Sequence, residues 1–256
     1  VKDRWRNIDV DYYVEPEYEP YARQIFGHTP EMIEFFSSQL GVDFPWEKYS
    51  QIVVRDYVSG AMENTGAVVH GEFLQRTSRE LLDETHEDVI SHELFHHWFG
   101  DLVTCESWAN LPLNESFATY GEYLWNEHKY GRDEADHKFN HDLHAYLREA
   151  GEKKEPLIRY RYADKEDMFD NHSYQKGGRV LHMLRNYVGD EAFFAFLRDY
   201  AAQMAGRRAT AGDFFAILRQ HTNVDFSDIV AGYFLNRFLS PKTFLKADRQ
   251  CPLQIL

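Results

Sequence analysis

Up to residue 83 short β-branched runs flank one helical stretch, and beyond it the apolar positions recur every three or four residues. The tyrosine- and acid-rich stretch Val10-Asp11-Tyr12-Tyr13-Val14-Glu15-Pro16 predicts an edge strand or connector within residues 1–28. Thr29-Pro30-Glu31 opens a helix, with Thr29 as its cap and Pro30 at its first position. Met32, Ile33, Phe36 and Leu40 form its apolar face, and Gly41 ends it. Residues 51–58 and 67–74 predict two strands, joined by Ser59-Gly60-Ala61-Met62-Glu63-Asn64-Thr65-Gly66. Thr85 to Asp88 spell a capping box, after which Ile90, Leu94 and Trp98 repeat every four residues up to Gly100. Further helices are predicted from Pro112 past Tyr123 and near 133–150, 173–188, 190–205, 210–221 and 225–238. Thr210 with Asp213, and Asp225 with Asp228, predict the caps of the last two. The pattern is α+β, a small mixed sheet followed by a largely helical lobe.

Composition narrows the class. The 256 residues are 43% hydrophobic and 16% aromatic, enough for a sizeable core, which excludes the disordered and low-complexity classes. Lys+Arg 28 against Asp+Glu 42 leaves a net charge of −14, which argues against a nucleic-acid partner and an anionic membrane surface. No window approaches the length of a membrane span, and the opening Val1-Lys2-Asp3-Arg4-Trp5-Arg6 lacks the apolar run of a signal peptide. Lacking an initiator methionine, the chain reads as an excised segment. It is expected to be soluble, either cytoplasmic or exported after loss of a leader. Cys105 and Cys251 are too few for a disulfide framework and read as free thiols.

The chemistry concentrates in His92-Glu93-Leu94-Phe95-His96. Histidines four apart on a helix lie about 40° from each other, so both rings leave one face. That spacing suits two nitrogens on one Zn²⁺ at about 2.0–2.1 Å, with Glu93 beside the metal rather than on it. A catalytic zinc needs a third protein ligand and one open position. Glu115 at the start of the next helix supplies it, giving a set of His92, His96 and Glu115. Other clusters read more plainly. His137, His141 and His144 share a face of a charged helix without a catalytic carboxylate and read as solvated. Cys105 reads as a small core residue. Gly177-Gly178 lacks the spacing of a phosphate loop. Glu152 and Glu155 flank two lysines in what reads as a solvated turn. Glu122, seven residues after Glu115, reads either as a hydrogen-bond partner of a ligand histidine or as a surface glutamate.

With these residues in place the sequence resembles the gluzincin aminopeptidases of the aminopeptidase N type. Gly60-Ala61-Met62-Glu63-Asn64 matches the exopeptidase signature of that family and precedes the zinc motif as it does there. Tyr174, in Ser173-Tyr174-Gln175-Lys176-Gly177-Gly178, matches the family's catalytic tyrosine. Trp98-Phe99-Gly100 and Asn114-Glu115-Ser116-Phe117-Ala118 add flanking agreement. The resemblance implies a thermolysin-like zincin catalytic domain at 29–240, with a connector or edge strand at 1–28 and a tail leading out at 241–256. It implies one zinc per chain and attack by a zinc-bound water. Glu93 would serve as general base, Tyr174 as oxyanion donor, and Glu63 as partner of the substrate's α-ammonium. Gly60, Ala61, Met62 and Asn64 complete the substrate-binding set. The implied substrate is a peptide with a free N-terminus, from which the N-terminal residue is removed, and the family's flanking domains imply a longer parent. His97 departs from the pattern and reads as a neighbour of the site or a surface residue. A thermolysin-like endopeptidase, an epoxide-hydrolysing relative and a non-catalytic zinc-binding domain are the alternatives.

Overall fold

A computed structural model describes residues 1–235. The early strands form one five-stranded sheet in the order β1-β2-β3-β5-β4. β1 (Lys2–Trp5) pairs antiparallel with β2 (Ile8–Tyr13), and β2 runs parallel to β3 (Lys48–Val54). β3 runs parallel to β5 (Ala67–Gly71), and β4 (Ala61–Met62) closes the free edge antiparallel to β5. The Val10–Tyr13 stretch is therefore not an edge strand: β2 has a neighbour on each side, with Val10 and Tyr12 fully buried. The strand expected at 51–58 lies earlier, because the chain leaves the sheet after Val54 and Asp56 takes a left-handed φ of 52°. The strand expected at 67–74 stops at Gly71 and tightens into a 3₁₀ turn at Glu72–Leu74.

Helices pack on this sheet and on one another. α1 (Ala22–Phe26) and α2 (Thr29–Leu40) come first, and Gly41 ends α2 with φ 62° as expected. Thr29 is not its cap. His28 holds that place, and the buried Thr29 hydroxyl instead donates to the Phe26 carbonyl at 2.7 Å while accepting from Gln51. α3 (Glu87–Phe95) follows His86, whose φ is 53°, and no side chain caps it. The box expected from Thr85 does not form. Glu87 turns its carboxylate inward, to His28, Trp125 and Tyr130, each at 2.8 Å. α3 also stops short of Gly100, since Trp98 bonds back to Phe95 in a tighter turn.

α4 (Pro112–Tyr130) and α5 (Arg132–Glu152) follow, with α4 laid against α3. The segment expected as one helix at 173–188 is a π-turn, His172–Lys176, leading into α6 (Gly177–Val188). α7 (Asp190–Met204) and α8 (Ala211–His221) complete the body, and Thr210 with Asp213 forms the expected capping box. Asp225 accepts the Ser227 N–H at 2.9 Å but forms no box. Phe226 precedes α9 (Ser227–Ile229), which continues as a π-turn to Phe234. Two strands the pattern did not predict, β6 (Val103–Cys105) and β7 (Arg207–Ala209), pair in parallel and join the loop after α3 to the helices at the end of the chain. One hydrophobic core runs from Trp5 to Phe234. Among the described residues no helix is long and apolar enough to cross a membrane. The expected tail at 241–256, with Cys251, lies outside the described residues.

Candidate metal centre

α3 and α4 lie side by side and bring three buried donors together. Glu115 Oε2 is 3.4 Å from His92 Nε2 and 3.2 Å from His96 Nε2, and the three donor atoms lie within 4.8 Å of one another. Each ring is fixed from behind. His92 Nδ1 meets Glu122 Oε1 at 2.7 Å, and His96 Nδ1 donates to the Phe99 carbonyl at 3.0 Å. With Nδ1 engaged from behind on each ring, Nε2 is the nitrogen turned toward Glu115, the arrangement of a metal-ligating histidine. Glu122 is thus the partner of His92, not a surface residue. Lys138, from α5, holds Glu122 in turn and reaches Asp142 at 3.2 Å.

The electrostatics fit a cation. Burial disfavours charge on both histidines, yet the hydrogen bonds that His92 donates to Glu115 and Glu122 raise it well above its usual value. Against the same burial, the charges of Glu115 and Glu63 bring His96 up to about 9. Glu115 stays ionised despite its burial, brought down to about 2 by the two rings. The pocket therefore attracts positive charge to the point between three donors, and two imidazoles with one carboxylate match the donor set zinc prefers.

Glu93, one residue from His92, has its Oε2 buried with no partner, and burial brings its carboxyl up to about 7. Tyr174 stacks on the His92 ring, with centroids 5.9 Å apart, and burial holds its phenol protonated far above the ordinary range. The π-turn that carries Tyr174 is anchored beneath. Asp170 accepts the N–H groups of His172 and Ser173 at 3.1 and 3.0 Å. Arg159 grips both Asp170 oxygens at 2.7 Å and donates to Ser173 Oγ at 2.9 Å. No local motif marks Arg159 or Asp170, so only the fold reveals them.

The loop before β5 forms the opposite wall. Glu63 brings Oε1 to 4.0 Å from His96 Nδ1, and Glu63, Glu93 and His96 cluster within 4.8 Å. Gly60, Ala61, Met62 and Glu63 line a cleft of about 1160 Å³ together with the metal-centre residues and Tyr174. Asn64 is exposed and outside that lining; its carbonyl closes the turn onto Ala67 N–H at 2.8 Å. Trp108 and Phe169 form the rim, with rings 5.8 Å apart. Cys105 lines the cleft and is only half-buried, so it is not a core residue; burial still pushes its thiol up to about 11. His137, His141 and His144 are all exposed on α5, as expected. His97 is fully buried and touches no solvent.

Residues 25–233 match the peptidase family M1 domain. The chain belongs to peptidase family M1. Among M1 relatives, aminopeptidase N of Streptomyces lividans is 31% identical over 86% of the chain, and aminopeptidase M1 of Arabidopsis thaliana is 34% identical over 73%. An M1 zinc metallopeptidase from Deinococcus radiodurans, solved bound to a Tyr-Ser-Ala substrate, superposes with a TM-score of 0.72 at 27% identity, covering 94% of the chain. The chain spans 27% and 22% of those two relatives and 52% of the solved protein. The M1 fold is thus present here over a part of the length its relatives have.

Proposed function

We propose that the chain is the catalytic module of a zinc aminopeptidase that removes residues from the free N-terminus of peptides. The observation that carries this reading is the place of Glu63, a carboxylate on the cleft wall 4.0 Å from His96. A carboxylate there is positioned to pair with an α-ammonium and so to admit chain ends rather than chain interiors. Zinc held by His92, His96 and Glu115 would lower the pKa of a water to about 7 and polarise the scissile carbonyl.

The other steps belong to side chains. Glu93, with an unpartnered oxygen and a carboxyl brought up to about 7, takes the proton of the attacking water and returns it to the leaving amine. Tyr174, whose phenol stays protonated, donates a hydrogen bond to the oxyanion as it develops. The outer edge of β4 offers its backbone to the substrate as an added strand. The solved Deinococcus relative with a Tyr-Ser-Ala substrate supports a peptide as the ligand class. An endopeptidase would have no use for Glu63. The test compares an aminoacyl arylamide bearing a free amine with its N-acetylated twin. Cleavage of the first alone is expected, and equal cleavage of both would overturn the exopeptidase reading.

A further inference from the structure

His97 is the residue the catalytic scheme leaves unused. Its ring is fully buried, 23° from parallel with Phe44 at 5.5 Å and edge-on to Tyr49 at 4.9 Å. Packing alone would be satisfied by any aromatic ring, yet both ring nitrogens are engaged. Nε2 accepts the backbone N–H of Gly66 at 3.0 Å. An accepting Nε2 leaves the proton on Nδ1, which donates to the Glu93 carbonyl at 3.2 Å. The residue's own carbonyl accepts from Trp46 Nε1 at 3.1 Å, so the strut is itself braced.

Gly66 ends the loop that carries Glu63. It has φ 70°, its carbonyl accepts from Ser50 at 3.0 Å, and the loop's other end is held by Gly71 N–H on the Gly60 carbonyl at 2.9 Å. We propose that His97 is a positioning residue for the amine-anchoring loop, an imidazole strut that sets the distance between Glu63 and the helix carrying Glu93, His92 and His96. Through it, the carboxylate that receives the α-ammonium and the carboxylate that handles the water's proton share one reference frame. The inference deepens the aminopeptidase reading and rests on Glu63 as the amine anchor.

Two variants separate a strut from a packing ring. His97→Phe keeps the ring and removes both polar atoms, whereas His97→Gln places an amide oxygen within reach of Gly66. Amide hydrogen exchange across residues 60–66 is expected to quicken about tenfold in His97→Phe, the scale of one lost hydrogen bond, and to stay near wild type in His97→Gln. Zinc content should not change in either. KM for the free-amine arylamide should rise about tenfold in His97→Phe while kcat moves much less, and His97→Gln should restore it. Wild-type protection of Gly66 in His97→Phe overturns the strut, as does a kcat loss without a KM change. Nitrogen-15 spectra of the unaltered chain read the tautomer directly, so the test survives a variant that fails to fold: a proton on Nε2 overturns the proposal. If the unaltered chain cleaves neither arylamide, the aminopeptidase reading fails while the exchange and tautomer measurements still decide the strut.

Discussion

The Ser116 hydroxyl donates to the Ser173 carbonyl at 2.6 Å, joining the residue after Glu115 to the residue before Tyr174. The proposed metal ligand and the proposed oxyanion donor, far apart in sequence, are therefore one mechanical unit. Gly177 seals the contact. A Cβ there would fall 1.7 Å from Ser116 Oγ and 2.5 Å from its Cβ, so the absence of a side chain is a packing requirement.

Gly177→Ala should accordingly destabilise the chain by about 3 kcal/mol, the upper range of ordinary overpacking. Adding Ser116→Gly removes both clashing atoms and should recover part of the loss, which urea denaturation of the single and double variants measures. A Gly177→Ala chain with the wild-type midpoint would show that α4 and α6 separate freely.

Metal affinity should depend on groups that never touch the metal. Glu122→Gln keeps the shape but weakens the hold on His92 Nδ1, and loss of such a partner typically costs about 10–100-fold in affinity. Competition with a chromogenic chelator reads this out. His92→Ala, His96→Ala and Glu115→Ala should each lose the metal outright. Glu93→Gln should keep it and lose activity, and a metal-free Glu93→Gln chain would make Glu93 a ligand.

Tyr174→Phe removes one hydroxyl from the cleft. A missing oxyanion donor typically costs about 10²–10³ in kcat, with KM little changed, because the bond strengthens only as charge develops. Steady-state kinetics on an aminoacyl arylamide decide it, and unchanged turnover would remove Tyr174 from the chemistry.

Acid should loosen the floor under Tyr174. Burial disfavours the Asp170 carboxylate, but Arg159 and Lys153 outweigh it and bring its pKa from 3.8 down to about 2. A carboxylate depressed on folding contributes stability that is complete above about pH 4 and fades as pH falls toward 2. Arg159→Gln removes the main donor, so Asp170 titrates nearer its ordinary value and the acid unfolding midpoint should move to higher pH. The comparison is made with a chelator present in both chains, so that metal loss does not enter. An unmoved midpoint would mean Lys153 alone suffices.

Short-range pattern carried the site further than the fold. His92, His96 and Glu93 follow from helical spacing, and the strand–loop–strand around Gly60–Asn64 follows from β-branched runs broken by turn residues. Helix boundaries were less legible, because tertiary partners outbid local ones. Glu87 points inward to Trp125 and Tyr130, so the start of α3 goes uncapped, and a tight turn at Trp98 cuts its end. Contacts between distant segments left no trace in the pattern. Nothing near Arg159 announces Asp170, nothing near His97 announces Gly66, and β6 gives no sign of β7.

The pairing of β6 with β7 bears on the order in which the chain can be completed during synthesis. Val103–Cys105 lies between the second histidine and Glu115, and its partner Arg207–Ala209 follows only after α4, α5, α6 and α7. Glu106 N–H also waits for the Ala209 carbonyl, and Asn110 waits to accept from Ala211 N–H. A nascent chain thus exposes all three proposed metal-binding side chains long before the segment that sutures the loop between them has left the ribosome. Pairings of such separation are slow to close. The loop between the second histidine and Glu115 therefore gains its last backbone braces only when residues 207–211 arrive.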